Sequence, residues 1–167
     1  MTRFPEMIRA LTDAGVEFIL IGGVAAAAHG SVRTTEDLDI VYRRTPDNIA
    51  RLVEALRGLD PYLRGVPPGL PFRWDARTIE RGLNFTLTTT LGAIDLLGEV
   101  TGGGSYDELI RHCVPAELYG ARCECVSLPR LIHLKRCAGR AKDLVALSEL
   151  EALLEENRKL GEDGQSR

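Results

Sequence analysis

The sequence lacks an excess charge of either sign and any apolar run long enough to span a membrane. Its 167 residues carry 21 basic and 24 acidic side chains, for a formal net charge of -3. A chain this close to neutrality has no general basic field for nucleic acid, so any such contact would need a local patch. Segment 1–15 contains Glu6 and Asp13 and has no continuous apolar core. It does not resemble a signal peptide, and we therefore predict a cytoplasmic protein without membrane attachment.

Cysteine is scarce and lacks the paired spacing of common zinc sites. The cysteines are Cys113, Cys123, Cys125 and Cys137. A chain that buries a sizeable core in a reducing compartment needs no disulfides, so free thiols are predicted. A zinc site with His112 as an extra ligand is the alternative, but the C-x-C pair differs from the usual C-x2-C arrangement.

The sequence does contain a regular succession of short apolar segments, without internal repeats or a low-complexity linker. Their order predicts a mixed α/β (α+β) fold, a mixed sheet flanked by helices with further helices at the C-terminal end. We predict one domain over 1–157 and a disordered tail over 158–167. Predicted helices cover 5–14, 24–29, 45–59, 106–113, 128–138 and 141–156, and predicted strands cover 16–21, 37–41, 84–90, 93–97 and 121–126.

Residues 60–77 interrupt this succession, because they contain four prolines and two glycines. Such a composition predicts a loop or a broken edge element, and this segment is the candidate lid or recognition segment. Phe72 and Trp74 within it would either stack on a base or anchor the loop to the domain.

Gly22 and Gly23 directly follow the apolar run VEFILI, which is predicted to be a buried strand. Without side chains, both residues let the backbone N–H groups approach a phosphate, with the start of a helix just behind them. The pair is therefore a candidate anion cradle, although a simple structural turn explains it as well.

Asp37 and Asp39 lie two residues apart on the next predicted strand, DLDIV. Side chains at this spacing project from the same face, while Leu38 and Ile40 point to the other. Paired carboxylates suit divalent ions that act on phosphates, although a solvated strand end is the alternative. Asp95 lies in the apolar run AIDLL, where a carboxylate is costly unless paired or metal-bound. If the two strands are neighbours, Asp95 completes a triad.

These residues resemble the signature of the nucleotidyltransferase superfamily, the polymerase-beta-like fold. That signature combines a strand, a Gly-Gly turn and a helix with D-x-D on the next strand and a third acid on a later strand. The resemblance covers about 15–150. RTTEDLDI, which begins at Arg33, is similar to the R-x-T-x-D-x-D form of bacterial members near abortive-infection and toxin-antitoxin systems.

The C-terminal stretch LPRLIHLKRCAGRAKDLVALSEL also resembles those members. The resemblance implies that Lys135 contacts nucleotide phosphates and that Arg140, Lys142 and Asp143 shape the same pocket. A local basic cluster suits a polyphosphate, although a solvated basic helix end is the alternative. Arg33 would either orient a phosphate or pair with Asp37 or Glu36.

The resemblance implies a Mg²⁺- or Mn²⁺-dependent transfer of a nucleoside monophosphate from an NTP. The triad would bind the metal ions, and Asp95 would also help to activate the acceptor hydroxyl. The acceptor could be RNA, a protein or a small molecule such as an aminoglycoside, and a toxin-like role would add an antitoxin partner. A catalytically silent or partner-dependent nucleotide-binding protein and a purely structural module are the alternatives.

Overall fold

The protein folds around a seven-stranded mixed sheet, and the computed structural model describes residues 1–165. The strands are β1 (Phe18–Ile21), β2 (Asp37–Tyr42), β3 (Tyr62–Leu63), β4 (Asn84–Thr89), β5 (Gly92–Leu97), β6 (Glu99–Val100), β7 (Gly104–Ser105), β8 (Cys113–Leu118) and β9 (Ala121–Val126). The main sheet has the order β3-β4-β5-β2-β1-β9-β8, and β6 and β7 form a separate small sheet. The predicted mixed sheet is confirmed.

Two groups of helices flank the sheet. The helices are α1 (Phe4–Asp13), α2 (Gly22–Ala28), α3 (Pro46–Arg57), α4 (Ala76–Arg81), α5 (Tyr106–Leu109), α6 (Leu128–Ala138) and α7 (Ala141–Gln165), with a 3₁₀ turn at Ile110–His112. One group has α3 packed against α1 and α4; in the other, α2 packs on β1 and β2 and contacts α6, which runs along α7. Within residues 1–165, no helix combines the length and apolar character needed to cross a bilayer.

The two central strands follow from their hydrophobic patterns. All of β1 is buried, so both faces of the sheet are covered at this strand. In β2, Leu38 and Ile40 are fully buried while Asp37 and Asp39 are half-buried. Side chains alternate along a strand, so β2 turns one face to the hydrophobic core and presents both acids on the other.

The start of α3 is fixed by a buried asparagine. The Thr45 hydroxyl accepts a hydrogen bond from Asn48 N and so caps the helix. The Asn48 amide accepts from Glu17 N at 2.7 Å and donates to Glu17 O at 2.9 Å and Arg43 O at 2.8 Å. These bonds tie α3 to the segments that flank β1 and β2.

The helix predicted over 106–113 is wrong in its second half. α5 ends at Leu109, and after the 3₁₀ turn Cys113 begins β8, an edge strand that pairs antiparallel with β9. Tyr119 and Gly120 connect the two strands with φ values of 53° and 76°, as in a tight hairpin turn. Pro115 is tolerated in β8 because an edge strand leaves alternate N–H groups without a strand partner.

The last helix is longer than its predicted end near residue 156. α7 continues through Gly161 and Gly164 to Gln165, although glycine inside a helix costs about 1 kcal/mol relative to alanine. Most of the tail predicted to be disordered is thus helical, and residues 166–167 lie outside the described residues.

Candidate active site

Three carboxylates meet on one face of the sheet. β2 and β5 pair in parallel, with Asp37 opposite Ala93 and Asp39 opposite Asp95. Register partners on neighbouring strands face the same way, so Asp95 joins the two acids of β2. One oxygen from each of the three carboxylates lies within 4.8 Å of the others. The sheet therefore assembles the predicted triad, and no other group of three potential metal ligands occurs within residues 1–165.

Asp39 lies in surroundings that oppose its negative charge. Burial raises the pKa of the Asp39 carboxyl, and the neighbouring carboxylates of Asp95 and Asp37 raise it further, to about 7. The Lys135 ammonium acts in the opposite direction. A cation bound beside these carboxylates would favour their charged forms and lower this pKa.

The two glycines allow the backbone to approach the acids closely. Gly22 has a φ of +65°, and a Cβ there would lie 2.1 Å from Asp39 Oδ2. A Cβ on Gly23 would lie 2.5 Å from Thr35 Cβ. Larger residues would therefore collide at both positions. The pair forms the first turn of α2, where the sequence predicts a separate turn before the helix.

A cavity of about 670 Å³ adjoins the triad, a volume suited to a small-molecule ligand. It is lined by α2, β2, β5, α6 and the first turns of α7. The residues predicted to bind nucleotide all line it, namely Gly22, Gly23, Arg33, Lys135, Arg140 and Asp143. The structure thus brings every predicted site residue to one cavity, and their roles stay predictions.

Two cations of the cavity wall converge on Asp143, which is fully buried. Lys135 Nζ lies 3.4 Å from Asp143 Oδ1, and Arg140 Nε lies 2.7 Å from Asp143 Oδ2. Burial by itself would raise the pKa of Asp143, but the hydrogen bonds and charges of Arg140 and Lys135 outweigh burial and lower it. Asp143 thus stays ionised and holds both cations at the cavity.

Arg33 pairs with neither of the two acids considered from the sequence. Its Nε lies 3.8 Å from Glu149 Oε2, on α7. The Ser31 hydroxyl donates to Oε1 of the same carboxylate at 2.8 Å. The alternative of a pair with Asp37 or Glu36 is therefore not the one observed, because Glu149 reaches the loop from a distant part of the chain. Arg33 still lines the cavity, and its side chain is half exposed.

Sequence reasoning missed Arg64, which contacts the triad directly. Its Nη2 donates to Asp95 Oδ1 at 2.8 Å and its Nη1 to Asp37 Oδ2 at 3.4 Å. Arg64 follows β3 in the proline- and glycine-rich segment, and its position depends on the pairing of β3 with β4. A basic residue in a predicted loop gives no local signal of that pairing.

The rest of segment 60–77 is attached to the domain by its aromatic side chains. Trp74 Nε1 donates to Val53 O at 2.9 Å, so Trp74 anchors the loop to α3. Tyr62 donates to Pro67 O at 2.8 Å, and its ring meets that of Phe72 edge-on at 6.0 Å. The anchoring alternative is therefore the one observed for Trp74.

All four cysteines are free, as predicted. Cys123 and Cys125 are buried in β9, and Cys125 Sγ lies 3.9 Å from His29 Nε2. Burial raises the pKa of the Cys125 thiol to about 12, so this thiol is protonated at neutral pH. His112 instead contacts Arg130.

Comparison with known proteins supports the fold. No family model and no curated protein sequence matches this chain. A presumed nucleotidyltransferase from Thermotoga maritima has 13% identity and a TM-score of 0.51, over 100% of this chain and 97% of its own. ANT(2″)-Ia, in complex with adenylyl-2″-tobramycin, has 14% identity and a TM-score of 0.53, over 93% of this chain and 95% of its own.

At this level of identity the likeness concerns the fold. The chain has a nucleotidyltransferase-like fold, a mixed sheet flanked by helices along nearly its whole length. The acidic triad of Asp37, Asp39 and Asp95 lines the cavity described above.

Proposed function

We propose that this chain is a metal-dependent nucleotidyltransferase. The acceptor hydroxyl oxygen would form a bond to the α-phosphorus of an NTP, and the bond from that phosphorus to pyrophosphate would break. The observation that carries the proposal is the gathering of Asp37, Asp39 and Asp95 beside the cavity that Lys135 and Arg140 also line. The nucleotidyltransferase-like fold supports the same conclusion.

The triad suits Mg²⁺ or Mn²⁺. Its donors are carboxylate oxygens, which these hard ions prefer, and they lie within 4.8 Å of one another. In the proposal, Asp37 and Asp39 hold the metal ions and Asp95 contributes to the same site. Bound ions would supply positive charge that stabilises the attacking and leaving oxygens during the displacement.

The remaining roles are assigned to side chains by their positions. The Asp95 carboxylate would help to bind the metal ion and would accept the proton of the acceptor hydroxyl, the role that the nucleotidyltransferase resemblance implies for the third acid. Lys135 and Arg140, oriented by Asp143, would bind the phosphates of the nucleotide. Gly22 and Gly23 leave the backbone beside Asp39 free of Cβ atoms, so that a phosphate could approach it. Arg33 would contact the nucleotide from the loop before β2.

The acceptor would be RNA, a protein or a small molecule. The structural neighbour in complex with adenylyl-2″-tobramycin supports a small-molecule acceptor. The R-x-T-x-D-x-D resemblance supports RNA or protein, and a toxin-like role with an antitoxin partner rests on that resemblance alone. In this proposal the protein acts in the cytoplasm.

A second candidate function is nucleotide binding without transfer, or transfer only with a partner. One observation favours it, since the guanidinium of Arg64 contacts both Asp95 and Asp37. An enzyme held in that arrangement would bind a nucleotide at the cavity and leave the acceptor hydroxyl unactivated.

Label transfer from NTPs tests the proposal. The protein is incubated with each α-labelled NTP, Mg²⁺ or Mn²⁺, and separate pools of RNA, protein and aminoglycosides. Wild-type protein should label one pool and release pyrophosphate, and Asp39→Ala should do neither. Asp13→Ala, which removes an exposed carboxylate at the end of α1, serves as the control. Full metal-dependent transfer by Asp39→Ala would refute the mechanism, and nucleotide binding without transfer to any pool would favour the second candidate.

A further inference from the structure

A cation of the chain itself already lies in the acidic cluster. The guanidinium of Arg64 bridges two of the three carboxylates, at 2.8 Å from Asp95 Oδ1 and 3.4 Å from Asp37 Oδ2. The exposed fractions of these side chains are 28% for Arg64, 22% for Asp95 and 37% for Asp37. Solvent and salt screen such partly buried charges less than they screen surface pairs.

The neighbouring strand holds Arg64 in this position. Its backbone N donates to Thr86 O at 2.9 Å, and its Nη2 donates to Leu87 O at 2.8 Å. Both carbonyls belong to β4, so hydrogen bonds to β4 hold both the backbone and the guanidinium of Arg64 in place. The Nε group of Arg64 is buried without a hydrogen-bond partner among the described residues. The contact therefore leaves one donor unsatisfied, which reduces what it contributes to stability.

We propose that Arg64 is a built-in counter-ion that competes with the divalent cation for Asp37 and Asp95. The metal site is complete only when the guanidinium has left both carboxylates. This inference rests on the proposed function, because it takes the triad to be the metal site. Arg64 acts as a positioning residue, since it controls which cation the acids hold.

Elementary electrostatics supports the competition. A carboxylate oxygen that accepts a guanidinium N–H has less of its lone-pair density free for a metal ion. A positive charge within hydrogen-bond distance of the ligands also repels a divalent ion directly. In the metal-free protein, the same charge offsets the mutual repulsion of the three acids. One side chain thus stabilises the metal-free state and weakens metal binding.

Open space borders the residue that follows Arg64. Gly65, the next residue, has a φ of +78°, and a Cβ at this position would meet nothing within 4 Å. The loop beyond it is closed by the hydrogen bond from Tyr62 to Pro67 O. Departure of the guanidinium requires changes of the Arg64 side-chain torsions only, because the pairing of β3 with β4 is made by the backbone.

Calorimetric titration of Mn²⁺ into the nucleotide-free protein tests the proposal. Arg64→Gln should bind Mn²⁺ about tenfold more tightly than wild type, because one positive charge and two hydrogen bonds to the ligands are removed. The matched control is Arg73→Gln, which removes the same charge from an exposed position in the same segment. Its affinity should stay within about twofold of wild type, because a solvent-exposed charge is largely screened.

A second readout is thermal unfolding, measured in EDTA and then with Mn²⁺. In EDTA, Arg64→Gln should unfold at a lower temperature than wild type, since its three acids have lost their counter-ion, and Mn²⁺ should raise its melting temperature by more than it raises that of wild type. Arg64→Lys keeps the charge without the planar fork, so its Mn²⁺ affinity should lie between those of wild type and Arg64→Gln.

The outcomes separate this inference from the proposed function. Equal or weaker Mn²⁺ binding by Arg64→Gln, with binding by wild type intact, would overturn the competition and leave the metal site standing. Absence of Mn²⁺ binding in every variant would overturn both. If Arg64→Gln does not fold, Arg64→Lys decides, because affinity no higher than that of wild type would overturn the inference.

Discussion

Asp39 and Asp95 are register partners across the parallel pair of β2 and β5, although they lie far apart in the chain. The pairing forces two carboxylates together on one face, and Asp37 adds a third. Such a cluster is unfavourable unless cations balance it. The protein supplies Arg64 for this purpose, and the proposed function adds divalent metal ions.

The first prediction concerns Gly22. Gly22→Ala should lower the free energy of unfolding by at least about 2 kcal/mol, because it places a Cβ at positive φ and against the Asp39 carboxylate. Chemical denaturation measures the loss, and Mn²⁺ titration of the folded fraction should show weaker binding. Gly58→Ala is the matched control, since Gly58 has a φ of -76° and a Cβ there would meet nothing within 4 Å. Equal stability of the two variants would contradict the packing described around Gly22.

The second prediction concerns pH in the absence of metal. The raised pKa of Asp39, about 7, means that the folded protein binds this proton more tightly than the unfolded chain does. The group therefore contributes stability at acidic pH that is lost as the pH rises from the ordinary carboxyl pKa through about 7.

Asp39→Asn removes this loss. In EDTA, the free energy of unfolding of the variant should rise relative to that of wild type by about 2–4 kcal/mol between pH 5 and pH 8. Denaturation at several pH values measures the difference, and Asp13→Asn should track wild type throughout. A constant difference between Asp39→Asn and wild type across this range would show that Asp39 has an ordinary pKa.

The third prediction separates two adjacent cations of α6. Lys135→Gln should weaken NTP binding about tenfold or more, because it removes a phosphate-binding charge from the cavity wall. Arg136→Gln removes the same charge one residue away, where the side chain pairs with Glu151 instead, and should bind nucleotide like wild type. Calorimetry measures both affinities. Equal weakening in the two variants would mean that α6 attracts nucleotide by general charge only.

The fourth prediction tests the scaffold apart from the site. Asn48→Ala should cost about 2–4 kcal/mol of stability, because it leaves Glu17 N and Arg43 O without their side-chain partner and removes one of the two hydrogen bonds that Glu17 O accepts. Its folded fraction should keep wild-type nucleotide affinity. Asn157→Ala, at an exposed position of α7, should leave stability unchanged. A neutral effect of Asn48→Ala in thermal unfolding would show that water replaces the amide.

The sequence predicts the elements around the triad well because each carries a strong local signal. β1 is an unbroken buried run, β2 alternates acids with aliphatic residues, and β4 and β5 form a hairpin. The placement of Asp95 beside Asp39 could be predicted only on the condition that their two strands are neighbours in the sheet. The local sequence does not give the strand order. The resemblance implied only a third acid on a later strand, and the sheet shows that this strand, β5, lies beside β2.

The missed features depend on contacts between distant residues. β8 contains a proline, and its hairpin turn places Tyr119 at positive φ, so neither carries the usual strand or turn signature. Glu149 reaches Arg33 from α7, and Arg64 reaches the triad through β3. No residue spacing in the local sequence indicates these contacts between distant residues.

Calorimetric titration of ATP, GTP, CTP and UTP, each with and without Mg²⁺, tests the central claim most directly. We expect wild type to bind at least one NTP in the presence of Mg²⁺, and the double variant Asp37→Ala/Asp39→Ala to lose that binding while it stays folded. Metal-independent binding, or equal binding by the double variant, would contradict a metal-dependent nucleotide site built on the triad.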